Sequence, residues 1–118
     1  MPKSSPFVSS VLARFNQFAP VTARAMFGGH GLYVEGVMFA LIADEQVYLK
    51  ADAQNQAFFQ EAGSTPFVYD LKNKPVTMSY FLLPKAIYED FEQLQVWLDS
   101  AIEAARRNQA KKKAKPRR

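Results

Sequence analysis

The chain has 118 residues, of which 48% are hydrophobic and 14% aromatic, a composition typical of one globular domain and not of a disordered chain. It contains no cysteine, which excludes disulfides, thiolate zinc sites and cysteine nucleophiles. The formal net charge of +4 is divided unevenly, because residues 1–105 carry seven basic and eleven acidic side chains, a net charge of −4, whereas residues 106–118 carry eight basic side chains and no acidic one.

The first predicted element is a helix. Ser4 and Ser5 followed by Pro6 form a helix-start signal, a capping hydroxyl and then a proline suited to the first turn. Pro20 ends the segment. Between them, apolar residues recur at helical spacing and predict a helix that packs on a sheet: Val8, Val11, Leu12, Phe15 and Phe18.

The stretch from residue 24 to residue 42 is the centre of the predicted sheet. Four of the five glycines of the chain lie in it, at Gly28, Gly29, Gly31 and Gly36. The first three predict a tight turn that needs positive φ or has no room for a side chain. Residues 21–27 are a short strand candidate, and Glu35 and Gly36 predict the tip of a hairpin that joins residues 32–35 to residues 37–43. Residues 37–43 are apolar at all seven positions, as expected of a central strand covered on both faces.

The second half of the chain predicts two more helices and three more strands. Residues 47–51 alternate as a strand does, and Asp52 and Gly63 bracket a short helix at 53–62. Strands follow at 67–71 and 76–83. Pro84 opens the last helix, whose apolar stripe is Ile87, Phe91, Leu94, Leu98, Ala101, Ile102 and Ala105. The order of helix, three or four strands, helix, two strands and helix predicts an α+β domain with an antiparallel sheet and helices on one face.

The central stretch also carries a family resemblance. Residues 24–42 read R-x-M-F-G-G-x-G-L-Y-x-x-G-x-M-F-A-L-I, residues 47–52 read V-Y-L-K-A-D, and this pattern resembles the N-terminal domain of the TfoX/Sxy family of bacterial competence regulators. The likeness continues through F-V-Y at 67–69 and M-S-Y at 78–80 and ends near Ala105. It implies the order α-β(3)-α-β(2)-α, similar to secretion-chaperone-like folds, for a domain at residues 1–105.

The resemblance also implies a function. Members of the family are regulatory and not enzymatic, and they act by protein contact in the regulation of competence and transcription, alongside a cyclic-AMP-responsive transcription factor. A protein partner is therefore expected. The chain shows neither an apolar signal segment nor a membrane-spanning run, so a cytoplasmic protein without a membrane partner is expected.

No catalytic constellation, cofactor motif or metal site is predicted. The glycine stretch lacks the Lys-Ser/Thr and the helix of a phosphate-binding loop. His30 is the only histidine and has no acidic neighbour in sequence, which favours an exposed loop residue. Arg24 could bind an anion, but a pair with Glu35 or Asp44 is favoured. The candidate interaction surface is therefore taken from the family pattern: Arg24, Met26, Phe27, Gly28, Gly29 and His30.

Two further features bear on nucleic acid. Tyr33, Tyr48, Tyr69 and Tyr80 lie on predicted strands, where packing is favoured over base stacking because residues 1–105 are acidic. Residues 106–118 are predicted to be a disordered basic tail. The alternative function is weak, non-specific binding of nucleic acid through this tail, by Arg106, Arg107, Lys111, Lys112, Lys113, Lys115, Arg117 and Arg118.

Overall fold

A computed structural model of the chain describes residues 6–26, 29–71 and 74–114. Six strands form one sheet in the order β1-β2-β3-β4-β6-β5, and every neighbouring pair is antiparallel. The predicted α+β class with an antiparallel sheet is confirmed. The elements are α1 (Pro6–Phe15), β1 (Thr22–Met26), β2 (Gly29–Val34), β3 (Val37–Ala43), β4 (Gln46–Lys50), α2 (Gln56–Glu61), β5 (Pro66–Leu71), β6 (Lys74–Leu82), α3 (Lys85–Glu89) and α4 (Phe91–Ala114).

This order differs in two places from the one that the resemblance implies. Four strands precede α2 instead of three, which is the larger of the two numbers that the residue pattern allowed. The last helix is split into α3 and α4 at Asp90, whose backbone is extended (φ −99°, ψ 106°). The Asp90 carboxylate accepts hydrogen bonds from the backbone N–H of Gln93 at 3.1 Å and from its side chain at 3.0 Å, so Asp90 caps α4.

All four helices contribute to one core on one face of the sheet. The first helix buries Val8, Val11 and Phe15, as its spacing predicts. The stripe of α4 is buried from Leu94 onward, whereas Phe91 is 48% exposed and packs on Phe18 with ring centroids 4.7 Å apart. The prediction that Phe91 belongs to the core stripe is therefore wrong, because the break at Asp90 makes Phe91 the first residue of a new helix.

The sheet turns at two consecutive two-residue hairpins. Glu35 and Gly36 join β2 to β3 with φ of 55° and 79°, which confirms the predicted hairpin tip. Asp44 and Glu45 join β3 to β4 with φ of 52° and 58°. Positive φ at both central residues matches the right-handed twist of the flanking strands. Only the first hairpin has a glycine to lower the cost.

Side-chain hydrogen bonds fix the backbone at the end of α1 and before the start of α2. Asn16 fixes the link from α1 to β1, because its amide donates to the carbonyl oxygen of Leu12 at 2.8 Å and its oxygen accepts from the N–H of Val21 at 3.0 Å. Helix α2 starts at Gln56 and not at residue 53. The Asp52 carboxylate accepts hydrogen bonds from the backbone N–H groups of Gln54 and Asn55, which form a turn before the helix. Gly63 ends α2 with φ of 84°, as predicted.

The last helix continues to Ala114, nine residues beyond the predicted domain end at Ala105. Residues 106–114 are thus helical in a segment that was predicted to be disordered. Arg, Gln, Lys and Ala are strong helix formers, so the helix propagates after its apolar stripe has ended. No helix within the described ranges is both long and apolar enough to cross a bilayer.

Candidate functional site

The sheet has one face covered by helices and one that no described helix covers. Strand register places residues on each face, since directly paired residues point to the same side. A buried row on the helix side runs across four strands: Leu32, Ala40, Leu49 and Phe81. The other side, called the open face here, carries Arg24, Met26, Gly31, Tyr33, Met38, Leu41, Tyr48, Lys50 and Tyr80.

Gly31 lies on the open face between the side chains of Met26, Met38 and Tyr33. A Cβ atom at this position would lie 3.1 Å from Sδ of Met38, 3.2 Å from Cε of Met26 and 3.2 Å from Cε1 of Tyr33. The absence of a side chain at residue 31 therefore lets two methionines from different strands lie across β2 beside the Tyr33 ring. The result is an adaptable surface of thioethers around one aromatic ring.

Gly29 is required for a different reason than positive φ. It lies in β2 opposite Met26 and lacks positive φ, but a Cβ atom there would collide with the carbonyl oxygen of Ile42. The close approach of two backbones explains this glycine. Gly29, His30 and Gly31 are strand residues, so the predicted glycine turn is wrong for these three. Gly28 and Phe27 lie outside the described residues.

Arg24 lies over an aromatic ring and not beside a carboxylate. Its guanidinium carbon is 5.7 Å from the centroid of Tyr33 on the neighbouring strand. Within residues 6–26, 29–71 and 74–114 it forms no ion pair, and Glu35 pairs instead with Arg106 at 3.3 Å. The predicted pair of Arg24 with Glu35 or Asp44 is therefore wrong. The cation–π geometry holds the guanidinium on the open face.

A second cation–aromatic pair lies on the same face. The Lys50 ammonium is 5.1 Å from the centroid of the Tyr80 ring, which is 8% exposed. Burial, with a smaller effect of neighbouring Tyr33, raises the pKa of Tyr80 to about 12. Burial and the nearby Asp44 carboxylate likewise raise the pKa of Tyr48. Both phenols thus keep their protons at neutral pH and can donate hydrogen bonds.

His30 lies on the opposite side from Arg24. It pairs with Ala25 and with Ile42, a core residue, and it is half-buried within β2. The prediction of an exposed loop histidine is therefore wrong.

The predicted interaction surface is only partly found on one face. The structure brings Arg24, Met26 and the Gly29 backbone together, separates His30 from them, and adds Tyr33 and Met38. The sequence signal for these two was present in the family pattern, but their shared face depends on the irregular register between Leu32 and Tyr33.

A polar cluster just after the end of β4 anchors α4. Asn55 is 6% exposed, and its amide nitrogen donates to the carbonyl oxygens of Lys50 and Ser100, each at 3.1 Å. Its oxygen accepts from the N–H of Asp52 at 2.7 Å. Arg107 donates to both carboxylate oxygens of Asp52, at 2.7 Å and 2.9 Å. The sequence does not predict this cluster, because residues 52–55 meet Ser100 and Arg107, which are far away in sequence.

Ion pairs occupy two of the basic residues in the segment that was predicted to bind nucleic acid. Arg106 pairs with Glu35 and with Glu103, and Arg107 pairs with Asp52, so both arginines are held against acidic side chains. Lys111, Lys112 and Lys113 lie further along α4, and residues 115–118 lie outside the described residues. Among the described residues, no group of three or more His, Cys, Asp or Glu side chains is placed to hold a metal ion.

Comparison with known proteins places the chain in a family. A family model described as the TfoX N-terminal domain matches residues 13–105, which contain the whole sheet and most of α4. The chain is 32% identical over 107 residues to the DNA transformation protein TfoX1 of Aliivibrio fischeri (strain ATCC 700601 / ES114), an alignment that covers 91% of this chain and 48% of the relative. The chain thus spans about half the length of this curated relative. With the family pattern on β1 to β4, these matches show that the chain belongs to the TfoX N-terminal domain family.

Proposed function

We propose that this domain is a non-enzymatic regulatory module of bacterial DNA transformation, which acts in the cytoplasm by contact with a protein partner, a transcription factor. The family and the name of the relative support the link to transformation. The observation that carries the proposal is the open face, where residues of the family pattern, Arg24, Met26, Gly31 and Tyr33, lie together on a sheet surface without a described helix over it.

The chemistry of this face favours a protein over a small substrate. Tyr, Met and Arg are the residue types enriched at protein interfaces. The Met26 and Met38 side chains can repack against different partners, while the strands hold their positions. Two tyrosine hydroxyls and two cations supply polar groups on this face: Tyr33, Tyr48, Arg24 and Lys50.

A photo-cross-linking experiment in cells tests the proposal. The photoreactive amino acid p-benzoylphenylalanine replaces Tyr33 on the open face or, as a control, Val96 on the solvent side of α4, which is 54% exposed. Irradiation should yield a discrete adduct from position 33 that resists nuclease and is weaker from position 96. The Arg24→Glu variant should lose this adduct while keeping its thermal midpoint. An adduct equal at both positions, or one removed by nuclease, would contradict the proposal.

A second candidate function rests on the extension of α4. After Ala110 the chain carries six basic residues and no acidic one, and the first three of them lie on the last turn of a helix. This arrangement suits weak, sequence-independent contact with nucleic-acid phosphates. Its test uses truncated chains and is given in the Discussion.

A further inference from the structure

Two glutamates occupy left-handed backbone at consecutive hairpins. Glu35 has φ of 55° and Glu45 has φ of 58°. A residue other than glycine or asparagine in this region costs roughly 1 kcal/mol. For Glu35 the carboxylate offsets the cost in part, because it pairs with Arg106 at 3.3 Å. Glu45 has no ion-pair or hydrogen-bond partner for its carboxylate among the described residues.

Glu45 instead borders a cavity at the start of β4 and the end of β6. The cavity has a volume of about 300 Å³ and lies between the start of α1, the β3–β4 hairpin and α3. Its walls are apolar and aromatic: Phe7, Val47, Leu82, Leu83, Pro84 and Tyr88. This volume is at the lower end of the range for ligand pockets, so it suits one or two side chains better than a nucleotide or a large cofactor.

The rim of the cavity is acidic. Glu45, Glu89 and Lys85 border it, which gives the rim a net charge of −1. Residues 1–105 as a whole have a net charge of −4. An apolar floor with an acidic rim complements a large apolar side chain that has a basic neighbour.

The wall formed by α3 is fixed in position. Arg14 of α1 donates to the carbonyl oxygen of Tyr88 from Nε at 3.3 Å and from Nη2 at 3.2 Å. The same guanidinium lies 5.9 Å from the Tyr88 ring centroid and 5.5 Å from that of Phe91. Arg14 thus fixes the position of Tyr88 in the cavity wall, and a ligand would enter a preformed site.

We propose that this cavity binds a segment of a partner protein in which a large apolar side chain lies beside an arginine or lysine. The inference rests on the proposed function, since it names a contact by which the domain recognises its protein partner. The apolar side chain fills the cavity, and the basic side chain pairs with Glu45 and Glu89. The basic residues 106–118 of a second copy do not supply this pair, because they contain no apolar side chain larger than Ala and Pro.

A titration followed by NMR tests the site with defined probes. Amide chemical shifts of the ¹⁵N-labelled protein are recorded with N-acetyl-Phe-Arg-amide, with N-acetyl-Phe-Glu-amide and with N-acetyl-Arg-amide. The first probe should shift the amides of Val47, Leu83 and Tyr88 at millimolar concentration, and the other two should bind at least about tenfold more weakly. Equal binding of the Phe-Glu probe, equal binding of the Arg probe, or no shift with any probe would overturn the proposal.

Variants of Glu45 separate recognition from folding. Glu45→Gly relieves the left-handed backbone, so it should be at least as stable as the parent while binding the Phe-Arg probe at least about tenfold more weakly. Glu45→Gln should weaken binding similarly, and Glu61→Gln on α2, away from the cavity, should not. Unchanged affinity in both Glu45 variants would overturn the proposal. The cross-link from Tyr33 is a separate measurement, so its survival beside a failed titration would leave the proposed function standing and remove only this site.

Discussion

Arg107 holds Asp52 by two hydrogen bonds, from Nε to Oδ2 at 2.7 Å and from Nη2 to Oδ1 at 2.9 Å. The contact joins the start of the basic part of α4 to the turn after β4. It completes the cluster in which Asn55 bridges that turn to Ser100. A carboxylate in the turn between β4 and α2 thus fixes the direction in which the last helix leaves the domain.

The stability of the domain should depend on pH through Asp52. Hydrogen bonds from Arg107 hold its pKa at about 2, below the ordinary value of 3.8. A lowered folded-state pKa means that the stabilisation is present above about pH 4 and is lost as the pH falls towards 2. Both side chains are partly exposed, so solvent screening limits the contribution to about 1 kcal/mol.

The Asp52→Asn variant should therefore have a thermal midpoint lower by about 4 °C at pH 7 and close to that of the parent at pH 2. Asp99→Asn, on the exposed side of α4, is the matched control and should change little at either pH. Circular dichroism melts at both pH values measure the difference. A midpoint shift of Asp52→Asn that is the same at pH 2 and pH 7 would contradict the role of the charge.

The buried stripe of α4 should be essential for folding. Leu98 is 1% exposed, so Leu98→Asp places an unpaired charge in the core and should cost more than about 4 kcal/mol or prevent folding. Val96→Asp makes the same type of change on the same helix at a residue that is 54% exposed, and it should cost less than about 1 kcal/mol. Urea unfolding compares the two. Similar midpoints would show that the buried face is assigned wrongly.

The two glycines of β2 should differ in their tolerance of a methyl group. Gly29→Ala should lower the free energy of unfolding by about 2 kcal/mol or more, because the new Cβ meets the backbone oxygen of Ile42, which cannot move alone. Gly31→Ala should cost less, about 1 kcal/mol, because Met26 and Met38 can change rotamer. Chemical denaturation of both variants tests this order, and a reversed order would contradict the described close approach.

Affinity for DNA should reside in residues 111–118, without a contribution from Arg106 and Arg107. Arg106 and Arg107 are paired with acidic residues, which leaves six basic residues for phosphates. The slope of log K against log salt concentration should thus be no steeper than about −5. Fluorescence anisotropy of labelled duplex DNA over a salt series measures it.

Two truncations separate the tail from the domain. A chain that ends at Ala110 should lose DNA binding and keep its thermal midpoint, because both arginine contacts remain. A chain that ends at Ala105 should also melt at a lower temperature, because Asp52 loses its partner. Tight, sequence-selective binding by the chain ending at Ala110 would indicate a DNA-reading surface on the domain itself.

The sequence alone determined the elements whose signals are local. Helical spacing of Val8, Val11 and Phe15, the Glu35-Gly36 hairpin and the stop at Gly63 are properties of neighbouring residues, and all three are found in the structure. The apolar run of β3 likewise predicted a central strand. The family pattern predicted the membership that the comparisons show.

Tertiary structure decided which residues meet. Arg24 lies over the Tyr33 ring, and Glu35 pairs with Arg106. Which partner each side chain contacts depends on the distances between the strands and α4. The need for glycine at residue 29 follows from a backbone that arrives from β3, 13 residues later in sequence. Local patterns report propensity and periodicity, whereas ion pairs, close backbone contacts and cavities arise only after chain segments distant in sequence have packed together.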